Sequence, residues 1–167
     1  RMLRSKPIAE STDFRLTASG LQPLAYEFQD GSKRNKRGES ATFDWEQKVV
    51  MASYKGEATQ LPLQTGVVDR NLVPLMMMHQ CPKTLTQTQV VSRGSIRNYK
   101  FQSLGPETID TAIGRLDTIK VKQWREGSSR STISWVSPKH NCLFVRIHQF
   151  KEDKQVGRLT IRSVKGL

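Results

Sequence analysis

The chain has 167 residues, with 27 Lys or Arg against 15 Asp or Glu and a net charge of +12. That length suffices for one domain with a sizeable core, and no apolar run reaches the roughly 20 residues that cross a bilayer as a helix. The charge favours anionic partners such as anionic lipid, lipopolysaccharide, nucleic acid or acidic protein surfaces. No helix-turn-helix, zinc-finger or RNP-like pattern is present, so no specific nucleic-acid partner is expected.

The chain opens with Arg1-Met2-Leu3-Arg4, without the charged start and apolar segment of a signal peptide. Residues 1–11 are polar and basic around Pro7 and read as a linker or strand entry. Residues 13–18 alternate as a strand, broken at Ser19-Gly20. Residues 23–28 resume with Leu24, Tyr26 and Phe28 on one face. Asp30-Gly31 marks a turn, and residues 33–38 form a basic tip. Strands are expected at 41–45 and 48–54, with a turn at Glu46-Gln47, followed by a short edge piece at 60–63.

The most continuous apolar run is Asn71-Leu-Val-Pro-Leu-Met-Met-Met-His-Gln-Cys-Pro82, which reads as the one helix of the chain. Proline fits a helix only in its first turn, where its missing N–H would be unpaired anyway. With Asn71 as the N-cap, Pro74 falls at the third helical position, and Asp69 suits the positive end of the dipole. Pro82 stops the helix near Gln80 or Cys81. Leu72, Val73, Leu75, Met76, Met77 and Met78 make it apolar nearly all round, so it is expected to be buried. Methionine also fills irregular space on adaptable binding surfaces.

Beyond the helix, residues 84–91 and 95–102 straddle Arg93-Gly94 as a hairpin. Residues 108–113 form a short strand ended by Gly114. Further strands are expected at 116–125, 131–136, 142–150 and 155–164. Strands at this spacing, joined by tight polar turns, form an antiparallel meander. The fold class is mainly β, α+β by count: a curved antiparallel sheet, an incomplete barrel wrapped around a helix, in a single domain. In the last strands Leu143, Val145 and Ile147 alternate with Phe144, Arg146, His148 and Phe150. Leu159 and Ile161 alternate with Arg158, Thr160 and Arg162, and Lys120 and Lys122 with Ile119 and Val121. One face is apolar and the other carries Lys120, Lys122, Arg146 and Arg162, as in any half-solvated antiparallel sheet.

Several segments in order carry a resemblance: Ser19-Gly-Leu-Gln-Pro-Leu-Ala-Tyr26, the basic hairpin at 33–37, Ala41-Thr-Phe-Asp-Trp45 and Val68-Asp-Arg-Asn-Leu72. Residues 116–124, Ser134-Trp-Val-Ser-Pro-Lys139 and Phe144-Val-Arg-Ile147 complete it. Spread over residues 12–164, they make the chain resemble an uncharacterised bacterial family, a domain of unknown function exported to the periplasm and grouped by fold with the lipoprotein carriers of the Lol pathway. The resemblance implies an incomplete barrel packed over helix and a place in the periplasm or cell envelope, and it carries over no catalytic residue. The family typically begins with two or more strands before the segment matching residues 12–18, so the chain is expected to lack those strands and expose a sheet edge or pocket.

Cys81 and Cys142 stand 61 residues apart. In an oxidising compartment they could pair and pin helix to sheet; the other reading is two separate thiols. His79-Gln-Cys81 and His140-Asn-Cys142 would together offer two nitrogens and two sulfurs to zinc, but their spacing is not that of known zinc modules. No metal or cofactor is expected. There is no G-x-S-x-G, no H-E-x-x-H and no Gly-rich phosphate loop, so no catalytic residue is assigned and the protein is not expected to be an enzyme.

An apolar ligand in such a half-barrel would meet Leu72, Met76, Met77, Tyr26, Trp45, Trp124 and Trp135, although core packing explains aromatics on strands equally well. Lys33, Arg34, Lys36 and Arg37 could meet an anionic head group, or form a solvated turn. The function expected is non-enzymatic binding of an apolar or anionic envelope component, a lipid or the lipidated part of a protein, in contact with a membrane surface. The alternative is a scaffold that binds another envelope protein through an exposed sheet edge or its basic face. The oligomeric state is left open.

Overall fold

The computed structural model describes residues 6–81 and 85–165. The strands are β1 Ala9–Thr17, β2 Gly20–Gln29, β3 Glu39–Asp44, β4 Val49–Tyr54, β5 Glu57–Pro62 and β6 Val68–Asp69, then β7 Gln87–Ser92, β8 Ser95–Thr111, β9 Gly114–Arg125, β10 Arg130–Ser137, β11 Leu143–Lys151 and β12 Lys154–Thr160. Helix α1 spans Val73–Gln80, and a 3-10 turn spans Pro138–His140. The fold is mainly β with one helix among the described residues, as the sequence predicts. Its strands are shared between two sheets, β1-β2-β3-β4-β5 and β12-β11-β10-β9-β8-β7-β6, neither closed into a barrel. The chain forms two compact units: one runs to Val73 and includes Thr88–Arg97, and the other comprises Pro74–Gln87 and the chain from Asn98 onward.

In the first unit the core follows strand alternation. Tyr26 lies opposite Ala41, Ala41 opposite Ala52, and Phe43 opposite Val50. These side chains are buried together with Leu63, Val67 and Val91. The expectation that Leu24 shares a face with Tyr26 is corrected. The β1–β2 register slips between Asp13 and Phe14, which face Ala25 and Pro23, so Leu24 is the extra residue of a bulge and is exposed. A bulge reverses the alternation beyond it, and a proline is tolerated there because no ladder donor is lost. Strand β1 begins at Ala9, inside the expected linker; the first five residues of that linker lie outside the described residues. The strand β5 is longer than the edge piece expected, because Lys55-Gly56 closes a two-residue hairpin with β4.

In the second unit the strands expected at 95–102 and 108–113 fuse into the 17-residue β8, with the register shift between Ser103 and Gly105 absorbing an extra residue. The alternation read from the sequence holds from Arg146 to His148 but is corrected before it: the β10–β11 register shifts between Trp135 and Val136, which face Arg146 and Phe144, so Val145 is the extra residue of a bulge and Phe144 does not share a face with Arg146. Lys120, Trp135, Arg146 and Thr160 lie side by side, as do Val121, Ser134, Ile147 and Leu159. The first row is the charged face, but it also carries Trp135. That ring packs with Ile109, Leu116 and Val145, so the end of the β8–β9 hairpin covers it.

Helix α1 begins at Val73, with Pro74 as its second residue. Its burial is one-sided: Leu72, Val73, Met76 and Met77 are buried, while Leu75 is 37% exposed. That corrects the expectation of a helix buried all round and follows the i, i+4 spacing of a single inward face. The helix begins two residues after the expected cap, Asn71, and Asp69 holds the turn that leads into it. Asp69 Oδ1 accepts from Asn71 N at 2.9 Å, Leu72 N at 3.1 Å and Thr12 Oγ1 at 3.0 Å, while Asn71 Nδ2 donates to Thr12 Oγ1. Pro82, expected to stop the helix, and Thr84, expected to open the next strand, lie outside the described residues. Cys81 and Cys142 form a disulfide with a Cα–Cα distance of 5.4 Å, inside the range a bridge needs. Both sulfurs of the two H-x-C pairs are thereby used, and His140 Nδ1 lies 2.9 Å from Ser137 Oγ.

Two outcomes are expected. Closing a loop of this length should stabilise the chain by about 4 kcal/mol in the chain-entropy model, so the C81S/C142S variant should unfold at correspondingly lower urea. A variant as stable as the oxidised protein would show that the bridge does nothing for the fold. Burial raises the Asp69 carboxyl to about 6, against the hydrogen bonds from Thr12, Leu72, Asn71 and its own backbone N–H that lower it. Its folded value thus lies above its unfolded one, so its contribution is most favourable below pH 4 and is lost as pH rises through 6, by about 3 kcal/mol. Asp69→Asn should therefore gain stability relative to the parent protein between pH 4 and pH 7. Urea unfolding across that range measures the difference, and a constant offset would refute the titration.

Candidate functional site

The basic tip is a folded loop built on one carboxylate. Asp30, buried at the end of β2, accepts from Ser32 N at 2.8 Å and Ser32 Oγ at 2.7 Å through Oδ1, and from Arg37 N at 3.1 Å through Oδ2. Those Ser32 bonds hold its carboxyl below the ordinary range. Asp30 N donates to Asn35 Oδ1 at 2.9 Å, and Gly38 N to Asn35 O at 2.8 Å. Gly31 turns the chain at φ 72°, and a Cβ there would stand 2.5 Å from Lys6 O, so no other residue fits. Aspartate followed two residues later by a hydrogen-bonded serine is a local Asx turn, which fixes the loop without any apolar packing.

The ordered loop turns its cations outward around an open depression of about 830 Å3. Arg34, Lys36, Arg37 and Lys55 line it, with Ser40 and Ser53 between them and Glu27 and Glu39 as the acidic members. Arg37 and Glu39 also border a tighter recess of about 160 Å3 whose walls include Phe28, Tyr54, Arg70 and Arg93. The inner side of that recess is an ion network. Arg70 forks onto Glu10 Oε1 through Nε at 3.1 Å and Nη2 at 3.0 Å, and reaches Glu39 Oε1 through Nη1 at 3.3 Å. Glu39, with 4% of its side chain exposed, also accepts from Arg93 N at 2.9 Å. Tyr26 OH donates to Glu10 Oε1 at 2.8 Å, and burial, then that bond, raises its phenol far above the usual value. The Arg70 guanidinium stacks 4.8 Å above Phe28.

Of the four residues expected to contact anions, Arg34, Lys36 and Arg37 line the depression; Lys33 is exposed on the same loop and is not part of the wall. Of the residues expected to line an apolar ligand, Leu72, Met76 and Met77 are buried. Tyr26 belongs to the first unit's core, and Trp45 packs against it with Nε1 donating to Pro23 O at 2.7 Å. Trp135 sits in the second unit's core, and half-buried Trp124 lies under Lys122 Nζ at 5.7 Å. Sequence reasoning missed Glu10, Glu39, Lys55, Arg70 and Arg93. Lys55-Gly56 between two strands is a hairpin signal that could have been read. The others join residues 31 to 60 positions apart, which no local pattern reveals.

The arrangement offers guanidinium, ammonium and hydroxyl donors to an anion. Among the described residues no group of three or more His, Cys, Asp or Glu is placed to hold a metal ion. The model of a family described as protein of unknown function, DUF3108, matches residues 2–161. The chain therefore belongs to that uncharacterised family. No curated protein and no solved structure matched it.

Arg70→Ala strands the buried Glu39 carboxylate and should lower the unfolding free energy by about 3 kcal/mol. Adding Glu39→Gln to that variant should recover part of the loss, because the stranded charge is gone. Urea unfolding of the two single variants and the double variant gives the coupling, and zero coupling would show that Arg70 does not neutralise Glu39.

Proposed function

We propose that this chain is a non-enzymatic protein of the bacterial cell envelope, exported to the periplasm, that binds an anionic amphiphile through the basic depression at residues 34–40. The observation that carries the reading is the Asp30-centred loop. It spends a buried carboxylate and its backbone donors on holding Arg34, Lys36 and Arg37 in place, more order than a merely solvated turn requires. Cationic donors on a pre-formed loop lose little entropy when they engage phosphate oxygens. Met51, half exposed, stands one step beyond Ser53 on the outward side of β4 and offers an apolar neighbour for the ligand's tail. The Cys81–Cys142 bridge suits an oxidising compartment, which supports the placement in the periplasm. The lipoprotein-carrier-like fold is part of the same proposal, resting on the sequence resemblance and on a mainly β chain with one helix. No helix of the described residues is long and apolar enough to cross a membrane.

A second reading has its own observation. Strand β1 is an edge of the five-stranded sheet, nine residues long without proline, with Phe14 and Leu16 exposed at 41% and 65%. An envelope protein adding a strand there would use the free ladder groups and those two side chains.

Native mass spectrometry with lipid extraction, on protein purified from a Gram-negative host, tests the first reading together with co-sedimentation on phosphatidylglycerol vesicles. A stoichiometric lipid adduct is expected, and R34E/K36E/R37E should weaken vesicle binding at least roughly tenfold. Reversing three exposed lysines elsewhere, K151E/K154E/K165E, changes the net charge equally and should weaken it far less. A clean apo mass with equal losses in both triple variants would overturn the proposal. A clean mass with capture of an envelope protein, abolished by F14E/L16E, would establish the second reading.

A further inference from the structure

We propose that the depression between the β8–β9 hairpin tip and strand β12 is a binding site for a phosphate-class dianion, held by Arg146, Arg158, Arg162 and Thr160. It lies in the second unit and is independent of the depression beside the Asp30 loop. Its volume is about 510 Å3, and Asp110, Thr111 and Ala112 of the hairpin tip form the opposite wall.

Strand geometry converges the donors. Arg158 and Thr160 project from one face of β12, and Ile161 N donates to Val145 O at 2.9 Å, which continues the pairing and carries Arg162 along the same side. Alternate residues of a strand stand about 7 Å apart, so an anion over Thr160 lies between two guanidiniums. Arg146 is the cross-strand partner of Thr160 and brings the third. Its position is fixed twice: Nη2 donates to Asp110 O at 2.8 Å, and the guanidinium lies 5.7 Å from the Trp135 ring.

What is missing is negative charge. Among the described residues Arg146, Arg158 and Arg162 form no ion pair, whereas Glu107 on the same face is taken by Lys120 at 3.0 Å. The lining holds three guanidiniums against the one carboxylate of Asp110, a surplus of two charges. Arg146 Nε and Thr160 Oγ1 are buried and have no hydrogen-bond partner among the described residues. Leaving a buried guanidinium N–H and a hydroxyl unsatisfied is costly unless a ligand completes them. A carboxylate presents its two oxygens in one plane; three guanidiniums and a hydroxyl converging from several directions suit a tetrahedral anion. His148, opposite Arg158 in the ladder, reports the same field: burial first, then Arg158, Arg146 and Lys120, hold its imidazole below the usual value.

The test is NMR of the intact oxidised protein, titrated with glycerol 3-phosphate and with inorganic phosphate at constant ionic strength against sodium chloride. The expected result is saturable shifts at Asp110–Ala112 and at residues 146, 158, 160 and 162, with the His148 titration midpoint moving up as the anion neutralises its neighbours. Arg158→Gln with Arg162→Gln, both at exposed positions, should abolish those shifts and raise the His148 midpoint without ligand. R34E/K36E/R37E should leave them intact, which separates this site from the basic loop. Saturation by the soluble phosphates assigns a free phosphoester. Silence towards them, with phosphatidic acid vesicles retained by the parent protein and lost by R158Q/R162Q, assigns a lipid head group. Shifts that never saturate, or that persist in R158Q/R162Q, overturn the proposal.

Discussion

Glu39 is the residue on which the first unit turns. Its carboxylate is almost wholly removed from water at the start of β3, a position that costs several kcal/mol unless every oxygen is engaged. Arg70 answers one oxygen and Arg93 N the other. Because Arg70 also forks onto Glu10, and Glu10 takes the phenol of Tyr26, one desolvated charge ties β1, β2, β3, the segment before α1 and the β7–β8 turn to a common point. A hydrophobic contact is non-directional and would tolerate slippage of these strands. The fork is directional, so it specifies which register of β1 and which position of residue 70 are allowed. The residue before it, Asp69, holds the turn that leads into the helix, so the ion network and the entry to the helix are set together.

The same network shapes the neighbouring surface. Arg70 is saturated by two carboxylates and has little left for a ligand; Arg34, Lys36 and Arg37 sit on a loop whose sole buried carboxylate, Asp30, is occupied mainly by backbone and hydroxyl donors. Arg37 Nε approaches Asp30 only to 4.0 Å with most of the arginine side chain exposed, a geometry of small energetic weight. Glu39 thus serves as an internal counter-ion, while the loop cations are directed at solvent or at whatever binds there.

The sequence disclosed periodic features and hid those that depend on tertiary partners. Alternation placed the strands of the second unit and the composition of both faces, because a period of two survives wherever one face is covered. It failed at Leu24, at Val145 and across residues 95–111, where one extra residue shifts the phase and a single sequence shows no sign of it. The helix was visible from its apolar run and prolines, but the role of Asp69 in the turn that leads into it was not, since its partner Thr12 lies 57 residues away. For the candidate site, the basic loop was legible as a charge cluster. The recess behind it was not, because Glu10, Glu39, Arg70 and Arg93 meet only after the strands have paired.

Net charge is a poor guide to where such a chain binds, and its arginines show why. Arg70 has two carboxylates within hydrogen-bond reach, a phenyl face beneath it and most of its side chain buried; it is part of the fold. Arg146 has an aromatic face and a carbonyl but no carboxylate among the described residues, so its charge is positioned without being neutralised. At physiological salt the screening length is about 8 Å, so a surplus charge acts mainly on what lies within contact of it. The chain's +12 is therefore not one diffuse field. It resolves into cations already matched by the fold and others held in place with their counter-charge missing, and only the second kind can select a ligand.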